Sequence, residues 1–186
     1  MTLTVLDAKP ALIVIDLQKG VLCAPAVHPV EDIVQRAATL ASAFRHRQLP
    51  VVLVDAAGRA PGRTEAAQPD FILPADWADL VDDLDPQPGD HLVTKQRRSA
   101  FHDTGLDAHL RGRGVTQVVL AGVATSAGVE STARSAYDHG YHVVLVTDAM
   151  TDTDADAHYN SVARIFPKLG ETTTTTAVLE MLDTLQ

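Results

Sequence analysis

Short runs of consecutive apolar residues alternate along this chain with longer segments in which apolar residues recur every three or four positions. The first run is ALIVID, Ala11–Asp16, rich in β-branched side chains and free of polar alternation. It predicts a strand covered on both faces. From Val30 to Phe44 the period changes: Ile33, Ala37, Leu40 and Phe44, with Val34, Ala38 and Ala41 beside them, make one apolar stripe of a helix. VVLVD after Pro50 predicts a second strand, Asp90–Lys95 a third, and Leu106–Arg113 a helix closed by Gly114. QVVLAGV, Gln117–Val123, predicts a fourth strand, Gly128–His139 a helix ended by Gly140, and HVVLVTDA, His142–Ala149, a fifth strand. Asp156–Phe166 is helical until Pro167 and Gly170 stop it, and a short strand or turn leads to a last helix over Ala177–Leu185. TTTTT, Thr172–Thr176, fits an extended segment ending in a helix N-cap.

Ala56–Pro88 breaks the alternation. It is rich in Pro and Gly, with GRAPGR and the start of QPG, and predicts a surface excursion carrying one short helix near Asp76–Leu84. Loops of such length in compact domains are often functional. Strands alternating with helices predict a three-layer α/β fold, with a mostly parallel sheet of five to six strands flanked by helices on both faces. The 186 residues suffice for a single domain, 1–186, with a real core and are too few for two ordinary ones.

Composition narrows the function classes. A hydrophobic share of 46% argues against disorder, and a net charge of −9 with scattered acidic residues argues against a nucleic-acid surface or a basic membrane patch. The single cysteine, Cys23, excludes an intramolecular disulfide and a thiolate metal cluster; it reads as a small, partly buried apolar residue. The N-terminus shows no basic segment followed by a long apolar one, and no run approaches membrane-spanning length. A cytoplasmic location is the default expectation. The eight histidines show no H-x-H or H-E-x-x-H spacing, and neither a metal nor another cofactor is expected.

In open α/β sheets, ligands bind outside the carboxyl ends of the strands. Asp16, Asp55, Lys95, the ATSAG corner and Asp148 stand there. Taken alone, Asp16 is equally a loop cap and Lys95 a solvated edge lysine. A carboxylate and an ammonium converging on one cleft would lift both above those readings. Asp55 has neither a histidine nor a second carboxylate nearby in sequence and reads as a cap. In LAGVATSAGVESTAR, Leu120–Arg134, ATSAG nearly matches a G-x-S-x-G elbow, with Ser126 central and Asp148 and His158 downstream. A serine hydrolase is therefore one alternative.

LIVIDLQ, VTKQRRSAF and AGVATSAGVESTARSAYDHGY, followed by VTDAM, together resemble the isochorismatase-like hydrolases, a superfamily that also holds nicotinamidases and N-carbamoyl amidases. The match runs in order over nearly the whole chain. It implies a parallel sheet flanked by helices, a small-molecule substrate with a carboxylate as one candidate feature, and a homo-oligomer, dimer or tetramer. Amidase members use an Asp, a Lys and a Cys, which fall on Asp16, Lys95 and Gly128; the nucleophile is thus absent. The Asp-x-His metal pattern of nicotinamidases is also missing, because Ala56 and Ala57 follow Asp55. True isochorismatases resemble this pattern, with glycine at the cysteine position, and cleave a vinyl ether, which needs no covalent intermediate. By this resemblance Asp16 is the general acid, its pKa raised by burial. Lys95 is its electrostatic partner, and the amides of Ala127, Gly128 and Val129 meet an anionic or carbonyl oxygen. Ala124, Thr125 and Phe101 line the substrate site, with Arg97 and Arg98 near it; a core phenylalanine and surface arginines are the competing readings. The family also implies a cis peptide at Val123–Ala124. A second alternative is a pseudo-enzyme that binds a ligand or partner without turnover.

Overall fold

A computed structural model describes residues 3–65 and 74–185; the part of the Ala56–Pro88 excursion from 66 to 73 lies outside the described residues. Six strands form one sheet: β1 Pro10–Ile15, β2 Val51–Ala56, β3 His91–Lys95, β4 Gln117–Val123, β5 His142–Thr151 and β6 Glu171–Thr173, in the order β3-β2-β1-β4-β5-β6. Every neighbouring pair is parallel. All carboxyl ends therefore open on one edge. The chain steps outward from β1 to β3, then returns to the other side of β1 with β4, so the sheet's switch point lies between β1 and β4. β1 is buried at all of its positions, which is why its sequence shows no polar alternation.

The helices are α1 Lys19–Leu22, α2 Val30–His46, α3 Leu106–Gly112, α4 Glu130–Asp138, α5 Ala155–Asn160 and α6 Thr175–Thr184. Alternate strand residues feed two cores. Leu12, Val14, Leu53, Val119 and Val144 pack with Ile33, Leu40 and Phe44 of α2 and Val178 and Leu182 of α6. Ile13, Ile15, Val52, Leu120 and Leu145 pack with Leu106 and Leu110 of α3 and Val129, Ala133 and Ala136 at α4. The three-layer α/β expectation is met, with one apolar layer on each face. Among the described residues, no helix is long and apolar enough to cross a membrane.

Local departures from the expected elements have local causes. In place of a helix over Asp76–Leu84 there is only a 3-10 turn, Asp82–Leu84. The preceding residues instead pair with the segment after β1: Gln18 bridges Leu80, and the Val81 amide donates to the Leu17 carbonyl at 3.1 Å. The helix expected from Gly128 opens as a π turn, Thr125–Val129, closed by the Val129 amide on the Ala124 carbonyl at 3.2 Å. The helix expected over Asp156–Phe166 continues past α5 as a π turn, Ser161–Ile165, and a 3-10 turn, Phe166–Lys168, at Pro167. Four-residue α1 is too short to leave a period.

Asp154 caps α5: its side chain accepts the Ala157 amide at 2.9 Å. Asp154→Ala is expected to cost about 1 kcal/mol, read as a lower denaturant midpoint at unchanged slope.

Candidate active site

Asp16 is the first residue beyond β1, and Lys95 is the last of β3, two strands away. The Asp16 amide donates to the Val54 carbonyl of β2 at 2.9 Å, and its backbone turns left-handed there, at φ 53°. Gly122 on β4, with φ 118°, lies opposite Ile15. The Lys95 side chain reaches back to Asp16, with Nζ 2.7 Å from Oδ2. The exposures are 7% for Asp16 and 3% for Lys95, so the pair is out of bulk water.

Burial sets the electrostatics. It pushes the Asp16 carboxyl from its ordinary 3.8 up to about 6, against the opposing charge and hydrogen bond of Lys95, with the Asp55 carboxylate adding to the rise. Oδ2 is held by Lys95, while Oδ1 is buried and has no hydrogen-bond partner among the described residues. A buried carboxyl oxygen without a partner is expensive to leave ionised. It is also the oxygen at which a proton would be carried.

Gly128 closes the other side. A Cβ at that position would stand 3.0 Å from Asp16 Oδ2, 3.1 Å from Ile15 Cγ2 and 3.2 Å from the Val123 carbonyl oxygen. Each of these is tighter than ordinary contact, so even a methyl group would require its neighbours to shift by a few tenths of an ångström. Asp16, Lys95 and Gly128 thus meet at one point. The Val123–Ala124 peptide is cis.

The amide donor set is narrower than expected. The Ala127 and Val129 amides both donate to the Ala124 carbonyl, at 3.0 and 3.2 Å. The π turn therefore occupies them, and of the three amides only that of Gly128 is not taken by that carbonyl. Thr125 is fully buried and turned toward β5 and α5, its Oγ1 at 3.0 Å from the Thr151 carbonyl and 2.9 Å from His158 Nδ1. Phe101 is not brought to this point: its ring lies 5.9 Å from Tyr141 and 5.3 Å from His139, at the amino end of β5, in the core beneath α3 and α4. Arg97 donates to its neighbour's Gln96 carbonyl at 3.0 Å, and Arg98 is exposed.

No serine triad forms. Asp148 accepts the Thr175 amide and hydroxyl at 2.8 and 3.0 Å, while His158 faces Thr125 rather than Ser126, whose amide is bound by Asp152 Oδ2 at 2.7 Å. The order of Ser126, Asp148 and His158 along the chain is right for an elbow, but their directions are not.

Three residues stand differently from expectation. Asp55 lies inside β2 rather than at a cap, accepts the Thr94 hydroxyl at 3.0 Å and raises the Asp16 pKa. Cys23 is exposed, its thiol 3.1 Å from the Lys19 carbonyl. Gln18, for which the sequence reading names no role, is fully buried: its Nε2 donates to the carbonyls of Ala56 and Trp77 at 3.0 and 3.1 Å, and its Oε1 accepts the Ala56 amide at 2.7 Å. It ties the segment after Asp16 to the end of β2. A polar residue directly after an apolar strand run was the available signal.

Among the described residues no cluster of three or more His, Cys, Asp or Glu is arranged to hold a metal ion. A groove of about 1050 Å³ runs along α2 between Leu22, Val81 and Leu179, away from the Asp16–Lys95 pair. A cavity of about 30 Å³ lies beside the corner, lined by Val21, Leu22, Val123, Ala124, Thr151 and Asp152.

The Isochorismatase domain model matches residues 10–177. Over 188 residues the chain is 38% identical to the isochorismatase family protein YwoC of Bacillus subtilis (strain 168), covering 97% of this chain and 98% of that protein. The solved structure of an isochorismatase family protein from Burkholderia thailandensis matches with a TM-score of 0.91 at 40% identity, covering 96% of this chain and 98% of that one. N-carbamoylsarcosine amidase from Thermoplasma acidophilum matches with a TM-score of 0.70 at 27% identity, over 90% and 96% of the two chains.

Proposed function

Since the chain belongs to the isochorismatase family, we propose that it hydrolyses a small molecule without a cysteine nucleophile, cleaving a vinyl ether by proton delivery from Asp16. The observation that carries this reading is the Asp16 carboxyl itself. It is buried, one of its oxygens has no hydrogen-bond partner among the described residues, it is pushed up to about 6, and it faces Gly128, the position that on the resemblance holds the amidases' cysteine. A carboxylic acid near its pKa at neutral pH is suited to donate a proton.

The step balances as follows. Asp16 protonates the alkene carbon remote from the ether oxygen, leaving an oxocarbenium-like cation. Water adds to that cation and returns a proton to the Asp16 carboxylate. The hemiketal then collapses to a ketone and an alcohol. While Asp16 is protonated, the Lys95 charge is free to meet a substrate carboxylate or the leaving oxygen, and the Gly128 amide a carbonyl or developing oxyanion. Amide hydrolysis of the kind named for the Thermoplasma relative would, on the resemblance, need the sulfur that Gly128 lacks. A cytoplasmic homo-oligomer, dimer or tetramer, completes the reading. Binding without turnover is the second reading, and the same sulfur-free corner favours it.

A parallel assay tests these readings: isochorismate as the vinyl ether and an N-carbamoyl amino acid as the amide, before and after alkylation of Cys23 with iodoacetamide. The expected result is vinyl-ether turnover, unchanged by alkylation. Turnover of the amide alone, or loss of activity on alkylation, contradicts the proposal. Saturable binding without product selects the second reading.

A further inference from the structure

Two buried titratable side chains take no part in the chemistry above: His158 at 3% exposure and Asp152 at 5%. Resting on that reading of the site, we propose that they are positioning residues that aim the Gly128 turn at Asp16. They grip two consecutive residues at the start of the turn. Asp152 Oδ2 accepts the Ser126 amide at 2.7 Å, and His158 Nδ1 lies 2.9 Å from Thr125 Oγ1. The Thr151 carbonyl, 3.0 Å from the same hydroxyl, can only accept. The single Thr125 hydroxyl proton therefore points to Thr151, and His158 donates from Nδ1. The result is a directed chain from imidazole N–H to hydroxyl to carbonyl, crossing from α5 through the turn to the end of β5. Gly128 follows within the same turn and packs on Asp16.

Both grips share one anchor. The other oxygen of Asp152 accepts the Thr153 amide at 2.8 Å and the Asp154 amide at 3.4 Å, and Asp154 caps the helix that carries His158. The segment that follows the acid hangs from the same place, with the Val27 amide on the Asp152 carbonyl at 2.8 Å and the His28 amide on Thr151 Oγ1 at 3.1 Å. Thr151 and Asp152 thus tie together the two walls of the corner. Burial and the neighbouring His28, 4.8 Å away ring to ring, hold the His158 pKa below its ordinary value against the pull of Asp152. A neutral ring carries one N–H, and the Thr125 contact places it on Nδ1. Tyr159 packs edge-on to the ring at 5.1 Å.

A merely structural histidine would support folding without setting the environment of Asp16, so the test reads that environment and needs no substrate. The Asp16 carboxyl is titrated by carbon-13 NMR in the wild type, His158→Asn, His158→Leu, Thr125→Val and the remote core variant Leu182→Ala, with Asp16→Asn assigning the signal. The charged groups that act on Asp16, Lys95 and Asp55, are the same in all of the titrated proteins. Asparagine Nδ2 stands where histidine Nδ1 does and can make the same donation, so His158→Asn should keep the wild-type midpoint. His158→Leu and Thr125→Val should let water reach the carboxyl and lower the midpoint toward the ordinary carboxylate range. Leu182→Ala should lose stability but keep the midpoint. Folded His158→Leu or Thr125→Val with an unmoved midpoint overturns the proposal, as does an equal shift in Leu182→Ala. Absence of vinyl-ether turnover would leave this readout intact, so the two failures are distinguishable.

Discussion

Asp16→Asn is expected to lower kcat for vinyl-ether hydrolysis by about 10²- to 10⁴-fold, the usual contribution of a positioned general acid. Asparagine keeps the shape and the Gly128 contact but carries no acidic proton. It also leaves the Lys95 ammonium buried without its counter-charge, 2.7 Å from an amide. Unfolding is therefore measured beside activity, and only folded protein is compared. The wild-type pH profile should carry the same signature. Because the acid must be protonated and its pKa is raised to about 6, the rate should be level below about pH 6 and fall tenfold per unit above it. The stability linkage has a definite sign. Asp16 holds its proton more tightly folded than unfolded, so its contribution is fully present below the unfolded value of 3.8 and is lost as pH rises through about 6. A folded Asp16→Asn protein with wild-type turnover would remove Asp16 from the chemistry.

Gly122→Ala should be the most damaging small substitution in the sheet. Gly122 sits in β4 at φ 118°, and a Cβ there would stand 2.0 Å from the Ile15 carbonyl oxygen and 2.6 Å from the Ile15 nitrogen. These are backbone atoms of the central strand, which cannot rotate aside as a side-chain tip would. The methyl group must push β1 from β4 at the switch point, one residue before Asp16. Combined with the strained backbone, a loss above about 4 kcal/mol is expected, seen as insoluble protein or a collapsed denaturant midpoint. Gly105→Ala is the matched control. It shares a positive φ, 73°, but a Cβ there meets nothing within 4 Å, and about 1 kcal/mol is expected. Comparable losses at both positions would contradict the close-approach account.

The fold was legible because burial on both faces leaves unmistakable apolar runs: ALIVID, VVLVD, QVVLAGV and HVVLVTDA all became strands. Asp16 and Lys95 were legible as strand-end residues of opposite charge. Their 2.7 Å contact was not, since it depends on β2 lying between β1 and β3. The π turns were invisible, because one extra residue in a turn barely alters an apolar period over a short helix. Phe101 follows Lys95 closely in sequence, but its ring packs into the core beside Tyr141, as large apolar residues commonly do. His158 follows Ser126 in the order an elbow requires, yet it faces Thr125: chain order carries no information about which way an imidazole faces. Asp55 reads as a cap in the sequence because its partner, Thr94, is supplied by strand register and not by neighbouring sequence.

The central claim is that Asp16 delivers a proton to carbon at a corner with no sulfur. Hydrolysis of isochorismate in D₂O, quenched early and read by proton NMR and mass spectrometry, tests it most directly. The account predicts one solvent deuteron on the methyl carbon beside the new ketone, formed by the wild type and by the Cys23-alkylated protein and lost in Asp16→Asn. An unlabelled methyl group, or labelled product formed equally well by Asp16→Asn, would contradict it.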